Sequence, residues 1–290
     1  MKNNLLMFCL LAVAGLAQAQ DTTKIIRVAV LLYPGAELID FAGPTDVFVK
    51  ANAMTRGMYK VYSVAFGSQL VQTQDGGPFI QPTYTVEAMP RPDILVIPGA
   101  GMEVIDSLKK DARLINFLKR YQDSVSVTMS VCTGAYLLGS AGLLNNRKAT
   151  THYFVADDLH EQYPTIAVVK NVRFVDQGRI VTTSGVSSGI DGALHLVKRY
   201  SGDVTAEFVA RGLQYTPHEI DKWPVPFKGM KYNRTHPMNA KAKAARAMVD
   251  PVCQMSGNKN SFTVYKGKTY YFCSEGCKNK FIKKPLDFVE

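Results

Sequence analysis

Apolar runs alternate with helical spacings over the first three quarters of the chain. Four runs are almost continuously apolar, as is typical of parallel strands that are covered on both faces. They are residues 24–35, 59–67, 93–101 and 124–132. Other segments repeat apolar residues every three or four positions, which predicts helices. These are residues 40–55, 103–121, 133–144, 189–200 and 203–215. The alternation predicts an α/β fold with a mainly parallel sheet.

Two later segments have the pattern of β-hairpins. Residues 171–185 contain two apolar stretches around Asp-Gln-Gly, and residues 261–273 alternate around Lys-Gly. The second hairpin is followed by a short helical pattern. Between these regions, residues 216–248 contain four prolines and scattered lysines, which indicates a linker. We therefore predict an α/β domain at 20–215, a basic linker at 216–248 and a small hairpin-helix module at 249–290.

The first residues have the pattern of a secretory signal peptide. A short basic start precedes an apolar run, and Ala17-Gln18-Ala19 forms a small-x-small cleavage site. We expect residues 1–19 to be removed and the mature protein to be exported, in a bacterium to the periplasm.

The charge is distributed unevenly. The net charge is +10, and residues 222–290 contain fourteen Lys and Arg against four Asp and Glu, so the rest of the chain is neutral. Export argues against a nucleic-acid partner. We expect solvated lysines in this region, and contact with an anionic membrane surface is a further expectation.

Candidate catalytic groups follow three of the predicted strands. Asp40, the Gly99-Ala100 turn and Cys132 all come after strands, and ligands bind beyond the carboxyl ends of parallel strands. A cysteine at a strand-to-helix turn is expected to be exposed above the helix N-terminus, and both features favour the thiolate. The N–H of Thr133 and those of the glycine turn predict an oxyanion hole. The alternative is a buried, inert cysteine.

Four segments together resemble the ThiJ/PfpI family, and in particular its isonitrile-hydratase-like branch. They read "YPGAELIDFAGPTDVF", "DILVIPGAG", "VCTGAYLLGSAGLLNNRKATTHY" and "VTTSGVSSGIDGALHLV". The resemblance implies a flavodoxin-like three-layer sandwich that forms a homodimer. It also implies a nucleophile at Cys132, a hydrogen-bonding acid at Asp40, and an oxyanion site lined by Gly99, Ala100 and Thr133.

Two positions near the cysteine bear on which activity of the family to expect. Family proteases have a histidine directly after the cysteine, so Thr133 argues against proteolysis. His152 matches a family histidine near the cysteine; a catalytic base and a structural histidine both stay open. We expect an exported enzyme, a hydratase or hydrolase, whose Cys132 attacks an isonitrile or an α-oxoaldehyde without a cofactor in the large domain. The competing hypothesis is a non-catalytic protein that senses redox or metal stress, in which the thiolate is oxidised.

Three cysteines cluster near the C-terminus. Cys253, Cys273 and Cys277 would be brought together by the hairpin and the helix, and three thiolates suit a soft or borderline ion such as zinc or copper. A disulfide between two of them is the alternative. "DPVC", "YYFCSEGC" and "KKPLDFVE" resemble a YHS domain, which implies that the three cysteines bind a heavy-metal ion.

Overall fold

The computed structural model describes residues 25–217, 250–253 and 258–289. The predicted signal peptide, residues 1–19, and the predicted linker beyond residue 217 lie outside the described residues. The described helices are α1 Leu38–Met54, α2 Met102–Leu108, α3 Ala112–Tyr121, α4 Gly134–Ser140, α5 Ala156–Gln162, α6 Ser188–Gly212 and α7 Glu275–Lys283. Within these three ranges, none of the helices has the length and apolar character needed to cross a membrane.

The strands divide into long ones that build the main sheet or the C-terminal hairpin and short two-residue pairs. In chain order they are β1 Ile26–Leu31, β2 Tyr59–Ala65, β3 Val71–Gln72, β4 Phe79–Ile80, β5 Tyr84–Thr85, β6 Ile94–Ile97, β7 Val127–Val131, β8 Lys148–Ala149, β9 Ala167–Val168, β10 Phe174–Asp176, β11 Ile180–Thr183, β12 Asn258–Tyr265 and β13 Lys268–Phe272.

Seven strands form the central sheet, in the order β10-β11-β7-β6-β1-β2-β5. Every pairing is parallel except that of β10 with β11, which is the antiparallel hairpin predicted from the sequence. All residues of β6 and β7 are buried, including the polar Thr128 and Ser130 of β7, as expected for central parallel strands that are covered on both faces. Helices α1 and α6 contact each other, whereas α2 and α3 contact α4. The predicted α/β class with a mainly parallel sheet is confirmed.

One helix prediction differs from the structure. The helix predicted over 103–121 is two helices, because the Asp111 side chain accepts a hydrogen bond from the Arg113 N–H and so caps α3. The break predicted between the helices at 189–200 and 203–215 is confirmed, since α6 is interrupted at Gly202, whose φ of 83° and ψ of 167° are not helical. Apolar spacing alone could not reveal the cap that divides 103–121.

The C-terminal unit has the predicted hairpin and helix. Strands β12 and β13 are antiparallel, and the Ser274 side chain caps α7 by accepting a hydrogen bond from the Cys277 N–H. Phe272 and Phe281 are fully buried, with ring centroids 5.3 Å apart. So small a core provides limited stability, which makes a contribution from bound metal physically reasonable.

The contact between α6 and the sheet generates a stability prediction. A Cβ atom at Gly192 would lie 2.5 Å from Thr183 Cγ2 and 3.1 Å from Met129 Sδ. We expect Gly192→Ala to lower the free energy of unfolding by about 1–3 kcal/mol through overpacking. Gly212→Ala is the matched control, since its Cβ would meet only the flexible end of Met54 at 3.3 Å. Equal urea midpoints for the two variants would contradict the predicted close packing.

Candidate functional site

Cys132 occupies a strained turn between β7 and α4. Its φ is +55°, in the left-handed region that residues other than glycine seldom adopt. Two contacts hold this backbone: the Cys132 N–H donates to the Thr183 carbonyl at 3.0 Å, and the Thr151 hydroxyl donates to the Cys132 carbonyl at 2.9 Å. Strain at one residue persists only where its surroundings fix it, and it is concentrated at functional sites.

The thiol is buried, which corrects the expectation of an exposed thiolate. Cys132 is 7% exposed. Burial, and secondarily the charge of Asp40, raises the pKa of the Cys132 thiol well above its ordinary value, although hydrogen bonds from Thr133 act in the opposite direction. Burial therefore outweighs the position at the start of a short helix in setting the pKa of the Cys132 thiol.

Asp40 lies in the first turn of α1 and is fully buried beside this thiol. Its Oδ2 accepts a hydrogen bond from the Gly99 N–H at 2.8 Å. Among the described residues no group donates to Oδ1 with normal geometry, while the Cys132 thiol is near enough to favour the charged carboxylate. Burial nevertheless raises the pKa of Asp40 to about 7, with a further contribution from the charge of Glu37. The carboxyl and the thiol can therefore exchange a proton near neutral pH.

The backbone donors are arranged differently from the predicted oxyanion hole. The Gly99 N–H is engaged by Asp40, and the Ala100 N–H donates to Thr133 Oγ1 at 2.9 Å. The Thr133 hydroxyl donates in turn to the Ala100 carbonyl at 2.7 Å. Both N–H groups thus have an acceptor within the protein, whereas the Thr133 N–H is directed to the Cys132 sulfur. The oxyanion role of Gly99, Ala100 and Thr133 stays a prediction. The glycine turn instead positions the acid and the threonine.

Close approach explains why a glycine stands at position 99. A Cβ atom there would lie 2.5 Å from Thr133 Oγ1 and 2.7 Å from Asp40 Oδ2. The structure thus brings together the five predicted residues Asp40, Gly99, Ala100, Thr133 and Cys132. Their catalytic roles stay predictions.

His152 follows the threonine that holds the Cys132 carbonyl. Burial lowers the pKa of His152, and its ring packs against Tyr153 with centroids 4.6 Å apart. Within the described part of the chain, no hydrogen bond from its ring to the acid or the thiol is present. Burial thus favours the neutral imidazole, and a catalytic role for His152 stays a prediction.

Sequence reasoning missed two neighbours of the thiol. The Tyr33 hydroxyl donates to the Pro98 carbonyl, and burial, followed by the charges of Asp40 and Cys132, raises the pKa of Tyr33. Gly185 lies directly against the sulfur, since a Cβ atom there would be 2.9 Å from Cys132 Sγ. Each follows the end of a strand, which is the signal that could have found them.

The three C-terminal cysteines lie close together and are not joined by disulfides. Cys273 Sγ lies 3.5 Å from Cys253 Sγ and 3.7 Å from Cys277 Sγ. Four thiolates around zinc at a bond length of about 2.3 Å would be about 3.8 Å apart, so this spacing fits a tetrahedral ion. It does not fit a disulfide, whose sulfurs are about 2.0 Å apart.

Asp250 is a fourth member of this group that the sequence prediction omitted. One ligand atom from each of Asp250, Cys253, Cys273 and Cys277 lies within 4.8 Å of the others. The Asp250 carboxylate also accepts hydrogen bonds from the N–H groups of Val252 and Cys273, both at 2.8 Å. Although burial acts in the opposite direction, these donors lower the pKa of Asp250. The four residues can therefore hold a metal ion, with Asp250 either coordinating it or orienting the cysteine loops.

Comparison with known proteins identifies both parts of the chain. Residues 26–199 match the model of the DJ-1/PfpI family, and residues 248–290 match that of the YHS domain. A crystal structure of a ThiJ/PfpI family protein from Pseudomonas syringae is similar with a TM-score of 0.61 and 28% identity, covering 79% of this chain and 89% of the other. Drosophila melanogaster DJ-1beta shares the fold, with a TM-score of 0.58 and 20% identity over 66% of this chain and 99% of its own.

Two curated relatives differ in their described activities. An isonitrile hydratase of Pseudomonas putida is 30% identical over 198 residues, which is 66% of this chain and 79% of the relative. The transcriptional regulator CdhR of Pseudomonas aeruginosa is 26% identical over 179 residues, which is 59% of this chain and 50% of the regulator.

The buried carboxyl makes stability depend on pH. Because the pKa of about 7 lies above the ordinary 3.8, the folded protein holds the Asp40 proton more tightly than the unfolded chain. This stabilisation is complete below about pH 4 and is lost as the pH rises to about 7. Asp40→Asn is neutral throughout, so its stability relative to the wild type should rise by on the order of 4 kcal/mol between pH 4 and pH 8.

Urea unfolding followed by circular dichroism at several pH values tests this prediction. Asp46→Asn, which removes an exposed carboxyl on the same helix, is the matched control. Parallel pH profiles for Asp40→Asn and the wild type would show that the carboxyl is not held protonated.

The C-terminal cluster generates a second prediction. We expect the purified chain to bind one Zn(II) or Cu(I) per molecule, measured by competition with a chromophoric chelator. Cys273→Ser should weaken this binding about a hundredfold or more, because Cys273 is adjacent to both other sulfurs. Thr269→Ser, an exposed change in the same hairpin, is the control. Unchanged affinity in Cys273→Ser would exclude the thiolate site.

Proposed function

The chain belongs to the DJ-1/PfpI family, and from that premise we propose that it is a cysteine-dependent enzyme acting on small isonitriles, with an appended metal-binding YHS module. The observation that carries the proposal is the buried Cys132–Asp40 pair on a strained turn, in a chain similar to an isonitrile hydratase. Thr133 directly after the cysteine supports small-molecule chemistry over proteolysis.

Cys132 and Asp40 can together catalyse the hydration of an isonitrile. The ionised Asp40 accepts the Cys132 proton, and the sulfur bonds to the terminal carbon of the isonitrile. The proton passes to the same carbon, which gives a thioimidate. Water adds across the carbon–nitrogen double bond, with its hydroxyl on the carbon and its proton on the nitrogen. The carbon–sulfur bond then breaks as the hydroxyl proton passes to the sulfur, and an N-substituted formamide leaves.

The electrostatics of the site suit this sequence of steps. A thiol whose pKa is raised by burial is a weak nucleophile until its proton is removed, and a carboxyl with a pKa of about 7 is the matched acceptor at neutral pH. The Thr133 N–H, which faces the sulfur, stabilises the thiolate as it forms. A carbonyl substrate such as an α-oxoaldehyde would use the same attack.

The second candidate function is a non-catalytic protein of the cell envelope that binds metal or senses stress. The four clustered donors around Cys273 favour it. In this case the large domain binds a ligand or is oxidised at Cys132 without turnover. Export through residues 1–19, a homodimeric state and contact with an anionic membrane surface remain parts of the proposal that are shared by both functions.

The decisive prediction concerns turnover. We expect the wild-type chain to convert an alkyl or aryl isonitrile to the corresponding formamide, and Cys132→Ser to lose at least about a thousandfold in kcat/KM. Product formation is followed by mass spectrometry, and circular dichroism establishes that the variant is folded.

The pH dependence separates enzyme from sensor. Activity should rise as the pH passes through about 7 because Asp40 must be ionised to accept the proton, and Asp40→Asn should remove that limb. Turnover that survives in Cys132→Ser would remove the nucleophile from the mechanism. Absence of turnover with isonitriles and methylglyoxal, together with tight metal binding, would favour the second candidate.

A further inference from the structure

We propose that a network formed by the buried Arg173–Asp191 pair with Ser187 and Tyr215 positions the turn that covers Cys132 and so controls the access and protonation of the thiol. The inference rests on the proposed function only in taking Cys132 as the reacting atom. None of these four residues contacts the sulfur, and they are therefore positioning residues.

The ion pair at the centre of the network is buried. Arg173 and Asp191 are 2% and 4% exposed, and Arg173 Nε donates to Asp191 Oδ2 at 2.8 Å. Arg173 Nη2 also donates to Ser187 Oγ at 2.9 Å and to the Tyr215 hydroxyl at 3.2 Å. The Tyr215 hydroxyl donates to Asp191 Oδ2 at 2.9 Å. A desolvated pair with this many partners resists rearrangement, because breaking one contact leaves a buried charge poorly compensated.

Hydrogen bonds connect this network to both sides of the turn between β11 and α6. The Ser184 N–H donates a hydrogen bond to the Arg173 carbonyl at 2.9 Å. Three residues later, Ser187 Oγ accepts a hydrogen bond from the Arg173 guanidinium. Within the turn, Ser188 Oγ donates to the Gly185 carbonyl at 3.0 Å. The backbone on both sides of Gly185 is therefore fixed by the buried arginine.

Gly185 is the residue of this turn that lies against the Cys132 sulfur. Its φ is +86°, and a Cβ atom there would lie 2.6 Å from Cys132 Cβ and 2.9 Å from Cys132 Sγ. The turn backbone is thus one wall of the space that holds the thiol. Displacing the wall would hydrate the sulfur and open a path to it, since burial is the largest influence on this thiol.

The charged and titratable groups that face Cys132 come from other elements. They are Asp40 and Glu37 at the start of α1 and Tyr33 after β1. Residues 184–188 contain no ionisable side chain. A change in the turn should therefore act on the thiol through solvent access, and a shift in its titration would report that access.

Site-specific alkylation of the full-length chain tests the inference. Iodoacetamide modification of the Cys132 peptide is followed by mass spectrometry as a function of pH. We expect Ser187→Ala to raise the rate about fivefold, as expected for loss of one buried hydrogen bond, and Asp191→Asn to raise it more than about tenfold. In both variants the midpoint of the pH profile should move to lower pH, towards an ordinary cysteine.

Asp203→Asn is the matched control, because it makes the same substitution on α6 in an exposed ion pair with Lys198. Rates and midpoints that stay within twofold and a few tenths of a pH unit of this control, in folded variants, would overturn the inference. An equal acceleration in the control would overturn it as well. If Asp191→Asn does not fold, Ser187→Ala decides, since it leaves the ion pair intact.

The alkylation experiment and the turnover experiment test separate proposals, and either proposal can be wrong while the other holds. A chain without isonitrile turnover would still show network control of Cys132 reactivity. Conversely, normal reactivity in Ser187→Ala would remove the network while leaving the Cys132–Asp40 mechanism in place.

Discussion

The large domain depends on one costly arrangement, a carboxyl group and a thiol buried side by side at the end of the sheet. Asp40 is fully buried and Cys132 is 7% exposed. Removing either group's charge from water is unfavourable, and the charge of Asp40 also opposes ionisation of the Cys132 thiol. Burial of the pair therefore raises the pKa of both groups. In the proposed function, this costly burial provides a carboxyl group that can move a proton at neutral pH.

Much of the surrounding structure keeps this pair in place. The Gly99 N–H donates a hydrogen bond to one oxygen of Asp40. Two hydrogen bonds between Thr133 and Ala100 connect the turn at Cys132 to the turn after β6. These contacts occupy the backbone donors at Gly99 and Ala100. The proposed hydration therefore relies on the preformed position of acid and sulfur more than on a wide set of oxyanion donors.

The sequence was informative where local rules apply. Unbroken apolar runs predicted the parallel strands, and the rule that parallel strands present their carboxyl ends on one edge brought Asp40, Gly99 and Cys132 to one place. The same reasoning could not predict that the thiol is buried. Its cover is a turn about fifty residues later in the chain, and that turn is fixed by the side chain of Arg173. Local patterns contain no information on such a long-range contact.

The sequence also could not predict which partners the polar groups of the two sites would have. Gly99 and Ala100 have the composition of an oxyanion turn, but the use of their N–H groups is decided by which acceptors the fold brings near. In the C-terminal unit the cysteine spacing predicted three ligands, and Asp250 was missed because a carboxylate next to proline is common in turns without any metal. In both cases residue type indicated the chemistry, and only the spatial arrangement identified the partner.

The two thiol sites of this chain illustrate opposite uses of cysteine. At Cys132 a single sulfur is enclosed with a carboxyl group, so its proton is retained until a base removes it. Around Cys273 three partly exposed sulfurs and a carboxylate converge within 4.8 Å. Mutual repulsion of thiolates at that distance is relieved by a bound cation, which makes metal affinity and local folding the same free energy. Oxidants and metal ions should therefore reach the partly exposed cluster more readily than the enclosed thiol.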